Sequence, residues 1–155
     1  MATITGPLSG DAKNTVAEAL QGALVDLIDL SLVAKQAHWN LVGSHFRALH
    51  LQLDEVTQLA RTHMDTIAER AVALGVSPDG RSATVSRSTK LPQPESGWIE
   101  DGKVAATMTD ILDGISKRMY ERIQATEEAD PVSQDLLIAV TQELDKQHWM
   151  FQAQR

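Results

Sequence analysis

Apolar residues recur at steps of three and four along four long stretches of this chain, and no stretch shows the strict alternation of a half-buried strand. Over residues 11–41 the stripe is Val16, Leu20, Leu24, Leu27, Leu30, Ala34 and Leu41, which places one side of a helix against a core. Gly43 is positioned to stop that helix and Ser44 to cap the next. Residues 44–74 continue with Phe46, Leu49, Leu53, Val56, Ala60, Ile67, Ala71 and Leu74, and Gly75 ends them. With so short a link, the two helices fold back as an antiparallel hairpin.

Residues 76–97 break the pattern with Ser, Pro, Gly and Thr, a connection too long for a turn inside a compact domain. It predicts a crossover between two helical hairpins, with room for a short helix near residues 83–87. A third helix follows over residues 98–125, carrying Ile99, Val104, Met108, Ile111, Leu112, Ile115, Met119, Tyr120 and Ile123. Asp130-Pro131 then marks a helix start, Asp as N-cap and Pro at the first helical position. The fourth helix runs towards the C-terminus through Leu136, Leu137, Val140, Leu144, Trp149 and Met150. The expectation is one all-α domain over residues 1–155, a four-helix bundle with one long crossover.

Composition agrees with that reading and narrows the setting. At 43% apolar, 23% charged and only 4% aromatic, the chain has the balance of a globular helical protein. It has no cysteine, so nothing demands an oxidising compartment. The first residues lack the basic start and apolar run of a secretory signal, and no stretch is long and apolar enough to span a membrane. A cytoplasmic location and no membrane partner are expected. The net charge of −7 gives no general attraction to nucleic acid.

The chemistry gathers on the first two helices, at His38, His50, Asp54, Asp65 and Glu69. His50 with Asp54, and Asp65 with Glu69, are each spaced i, i+4 and share a helix face. Asp54 and Asp65 differ by about 20° in direction but by about 16 Å along the axis. All four therefore project along one stripe bordering the apolar positions, which turns them towards packing partners. His38 lies just before the reversal at Gly43, beside His50 and Asp54 but out of reach of the second pair. One chain thus holds two half-sites. A two-fold dimer with the second helices antiparallel would complete both at once. Nitrogen and carboxylate ligands without thiolate suit Fe, Mn or Zn, and open carboxylates favour iron that changes oxidation state.

The run KQAHWNLVGSHFRALHLQLDE, followed by DTIAER, resembles the signature of the Dps family, the mini-ferritins named as DNA-binding proteins from starved cells. The resemblance rests on Lys35, His38-Trp39, Gly43, Phe46, Leu49-His50 and Asp54, then Asp65, Ala68, Glu69 and Arg70. It implies a ferritin-like bundle assembled as a hollow dodecamer, with ferroxidase sites at two-fold interfaces. It implies oxidation of Fe(II) by hydrogen peroxide, or oxygen, and storage of Fe(III) mineral inside. His38, His50 and Asp54 of one subunit would meet Asp65 and Glu69 of its neighbour. In that reading Asp65 and Glu69 are the primary ligands and Glu69 can bridge two ions. The histidines bind weakly or through water, and Asp54 orients a histidine or holds a second iron. Trp39 would donate an electron, or simply pack. Lys35 fills a motif position, with a surface lysine as the default. Asp135 and Asp130 fall where acids line a three-fold pore, although Asp130 already has work as an N-cap. Asp110 and Asp113 would face the cavity or a solvated surface.

Relatives that condense DNA use lysine-rich tails, and here the ends offer only Lys13 and Arg155. A dodecamer would multiply the negative charge, while Arg81, Arg87 and Lys90 form only a small basic patch. Weak or no DNA binding is therefore expected at neutral pH and moderate salt, with association with the nucleoid as the alternative to a free cytoplasmic location. Besides the iron store, a DNA-protecting structural protein and a metal-dependent hydrolase remain as readings. No HExxH or nucleophile-elbow motif supports the last.

Overall fold

A computed structural model describes residues 3–154, so the Arg155 of the tail argument lies outside the described residues. The helices are α1 (Gly10–Asn40), α2 (Phe46–Ala73), α3 (Ser82–Ser88), α4 (Asp101–Thr126) and α5 (Pro131–Gln152). α1 packs chiefly on α2 and α4 on α5, and α1 meets α4 where the two hairpins join. The interior is built from the predicted stripes, with Leu20, Leu27, Leu30, Leu53, Ile67, Met108, Ile111 and Leu112 essentially inaccessible. Among the described residues no helix is long and apolar enough to cross a membrane.

Three aromatic positions read as core-facing are exposed: Phe46, Tyr120 and Trp149. Periodicity finds a helix face but not where its edge lies. On α5 the interior is closed instead by Phe151, which is fully buried. The crossover does carry a short helix, α3, with Thr84 and Val85 turned inward.

Two details of the helix ends differ from expectation. Leu41–Val42 (β1) and Ile99–Glu100 (β2) form a two-residue parallel bridge, Leu41 opposite Ile99 and Val42 opposite Glu100. Segments this short leave no period-2 pattern to find. Because residues 99–100 are engaged there, α4 begins at Asp101 rather than at the exposed Trp98.

α2 has no side-chain cap of its own from Ser44 and starts after His45. Its free N-terminus is served from across the chain. The Asp101 carboxylate accepts from His45 N at 2.7 Å and from Gly102 N at 2.8 Å. The His45 amide does most to hold the Asp101 carboxyl below its usual range, against partial desolvation. Gly43 makes this approach possible: its φ is +133°, and a Cβ there would lie 2.4 Å from the Asp101 carboxyl carbon. Asp130 behaves as read, accepting from Ser133 N at 3.2 Å with Pro131 behind it.

Candidate metal centre

The tight α1–α2 hairpin brings His38, His50 and Asp54 together. His38, in the last turn of α1, is buried, and His50 is half-buried near the start of α2. Their rings stack with centroids 3.6 Å apart and planes 19° apart. His38 Nδ1 lies 2.8 Å from the His50 carbonyl oxygen, and His50 Nδ1 lies 3.0 Å from the His38 carbonyl oxygen. A carbonyl oxygen only accepts, so each Nδ1 carries the hydrogen and donates it. In the neutral rings both Nε2 atoms then hold lone pairs, the tautomer a metal ion needs. Phe46, exposed to solvent on one side, stacks on His50 at 4.8 Å.

Asp54 lies one turn beyond His50, its Oδ1 3.5 Å from His38 Nδ1. The same oxygen accepts a hydrogen bond from the Lys35 ammonium. Lys35 does most to hold the Asp54 carboxyl below its ordinary value; partial burial opposes this, and His38 and His50 add to it. The sequence reading missed this partnership. The signal was present, since Lys35 and His38 are spaced i, i+3 and must share the face of α1 that meets Asp54.

Asp65 and Glu69 stand at the other end of the same unbroken helix, about 16 Å away along its axis. Both are exposed, and neither makes a side-chain hydrogen bond or ion pair among the described residues. Within one chain these carboxylates face open water, so the packing partner expected for them would have to come from another surface. The stripe borders the apolar face without being covered by it. Among the described residues no group of three or more His, Asp or Glu side chains is placed to hold a metal by itself.

Residues 17–155 match the ferritin-like domain. The chain is 36% identical to the DNA protection during starvation protein of Agrobacterium fabrum, over 94% of this chain and 91% of that protein. It is 33% identical to the DNA protection during starvation protein 2 of Deinococcus radiodurans, over 96% of this chain but 62% of that longer protein. Among solved structures, Mycobacterium smegmatis Dps superposes with a TM-score of 0.92 at 31% identity, covering 99% of this chain and 93% of that one.

The chain belongs to the Dps family. Membership carries the role of a mini-ferritin, iron storage with protection against oxidative damage.

The remaining positions singled out from the Dps resemblance fall into two groups. Asp130 is buried and accepts from Arg70 Nη2 at 2.6 Å and from the Ser133 hydroxyl at 2.5 Å. Burial alone would raise its pKa; the Ser133 and Arg70 hydrogen bonds outweigh that and leave the carboxyl below its ordinary value. Asp113 is engaged by Lys117 at 2.6 Å, which lowers its pKa against partial desolvation. Asp135 and Trp39, by contrast, are exposed, so Trp39 does not serve as core packing in this chain. The basic patch of the crossover is also thinner than it reads. Arg81 is clamped on Asp79 through Nε at 2.9 Å and Nη2 at 2.6 Å, leaving Arg87 and Lys90.

Proposed function

We propose that this protein is a ferroxidase and iron store. It oxidises Fe(II) with hydrogen peroxide, or with oxygen, at sites shared between subunits related by two-fold axes. It retains the Fe(III) product as mineral inside a dodecameric shell. The observation that carries the reading is the division of α2. A prepared histidine pair with Asp54, His38 reaching in from α1, stands at one end, and two carboxylates with no side-chain partner among the described residues stand about 16 Å further along. Antiparallel pairing of two such helices brings unlike ends together and completes two equivalent sites.

Fe(II) is the substrate. Asp65 and Glu69 supply unencumbered anionic oxygens that attract and hold the ions, with Glu69 able to span two of them. His38 and His50 present Nε2 lone pairs whose direction is set by the carbonyl hydrogen bonds on Nδ1. Asp54 exchanges its Lys35 partner for metal or keeps His38 oriented. Two Fe(II) give one electron each to one peroxide, which takes up two protons and leaves as two waters. Trp39 is available as an electron donor beside the site, and Asp135, exposed on α5, is the better placed of the two acids proposed to line an iron pore. Asp130 is committed to Arg70 and Ser133.

Anaerobic loading with Fe(II), followed by peroxide, tests the reading. The expected result is two Fe(II) consumed per peroxide, with the reaction slowed on the order of a hundredfold in Glu69→Ala. Unchanged oxidation in that variant would overturn the site assignment. DNA condensation is not proposed: the chain carries a net −7, and Arg81 is neutralised by Asp79. Retardation of supercoiled DNA at moderate salt would reverse that.

A further inference from the structure

A second polar site lies away from the half-sites, between α1, the crossover and α4. Asp26 is buried on α1 and receives two guanidinium groups from α4. Arg118 grips it with Nε at 3.0 Å and Nη2 at 2.9 Å, and Arg122 adds Nη1 at 2.8 Å. One carboxylate cannot balance two cations, and both guanidiniums retain unused N–H donors. Gly22 makes the arrangement possible, since a Cβ there would sit 2.8 Å from Arg122 Nη2.

These groups wall a cavity of about 450 Å³ whose other side is the crossover. Lys90 and Ser88 line it and have no side-chain partner among the described residues. Asp79 lines it too, but its charge is already spent on Arg81, with Thr84 donating its hydroxyl at 2.8 Å. The cavity therefore holds three cations against the one carboxylate of Asp26, which Arg118 and Arg122 already share. Surplus positive charge that is partly removed from water calls for a counter-anion.

We infer that this cavity binds a small tetrahedral oxyanion of the phosphate class, held by Arg118, Arg122 and Lys90. Forked guanidinium donors beside an ammonium and a hydroxyl match the several acceptors and double charge of such an ion. A duplex is the poorer occupant. The Arg118 and Arg122 side chains are only 24% and 15% exposed, recessed where a broad backbone cannot follow.

The test is calorimetric titration of the iron-free protein with inorganic phosphate in low-chloride buffer. Saturable uptake of one phosphate per chain is expected. Lys90→Ala, at an exposed side chain, should weaken it about threefold, and Arg122→Lys about tenfold. Should Arg122→Lys fail to fold, Lys90→Ala still decides. Absence of saturable uptake, or uptake unaltered by Lys90→Ala, overturns the inference. Displacement of phosphate by a duplex oligonucleotide would assign the site to a nucleic-acid backbone and overturn it as well.

Discussion

The two ends of α2 hold their candidate metal ligands in opposite physical states. At the N-terminal end, His38 and His50 are stacked, each Nδ1 is tied to a backbone carbonyl, and Asp54 is held by Lys35. At the other end Asp65 and Glu69 are exposed, with no side-chain partner among the described residues. The first half is organised by contacts the chain makes with itself, so its geometry exists before assembly. The second obtains neighbours only from another surface. Chemistry that needs both halves is therefore sensitive to mutation at either end, whereas the stability of the chain is sensitive at only one.

The largest expected effect separates those two consequences. Asp65→Ala and Glu69→Ala should each slow Fe(II) oxidation on the order of a hundredfold. Their thermal unfolding should stay within about 0.5 kcal/mol of the parent. His50→Ala should lose activity and also about 1–2 kcal/mol of stability, through the broken stack and the orphaned carbonyl. Stopped-flow oxidation and denaturant melts on the same samples decide it. Equal stability losses at both ends would erase the contrast.

Arg70, next to Glu69 in sequence, sharpens the comparison because it points the other way, onto Asp130 at the start of α5. Asp130→Ala removes an N-cap and leaves the half-buried Arg70 without its carboxylate, so a loss of about 2–3 kcal/mol is expected. The pH dependence has a definite sign. The folded Asp130 carboxyl lies below its unfolded value, so its contribution is complete above the ordinary 3.8 and is lost as pH falls through the depressed value. The stability gap between parent and Asp130→Ala should therefore be constant near neutrality and narrow below that point. A gap independent of pH would show that the ionised form is not what holds this corner.

A mixing experiment asks whether unlike ends meet. Co-refolded His50→Ala and Glu69→Ala chains each spoil one half. If sites form between chains, random pairing unites two intact halves at about a quarter of positions, and activity returns to about that level. Sites confined to one chain would leave the mixture inactive.

Much of this was legible in the sequence because helical periodicity reports a face directly. The stripes through Leu20, Leu53 and Ile111 form the core, and Asp130-Pro131 starts α5. What escaped depends on contacts across long separations. The cap of α2 comes from Asp101, and the β1–β2 bridge joins residues far apart in the chain. Spacing placed Asp54, Asp65 and Glu69 on one stripe but could not say which of them the chain would cover. The Asp26–Arg118–Arg122 cluster joins α1 to α4 and was invisible to any local pattern.

The smallest expected effect concerns the ion pair at the prepared end. At neutral pH Asp54 is ionised with or without Lys35, since even an unassisted carboxyl titrates near 3.8. There the ammonium contributes nothing to ionisation and competes with the incoming cation for Oδ1. Lys35→Met should therefore tighten Fe(II) binding by about two- to fivefold near neutrality, as expected for loss of a partly solvated competitor. In acid the balance reverses. Without Lys35 the Asp54 carboxyl rises towards its ordinary value, protons compete at higher pH, and the acid limb of Fe(II) binding shifts upward. Anaerobic Fe(II) titrations across a pH series should thus give parent and Lys35→Met curves that cross. Weaker binding by the variant at every pH, with no movement of the acid limb, would mean that Lys35 positions Asp54 for the metal instead of guarding it. The prepared end would then depend on its cation as much as on its histidines.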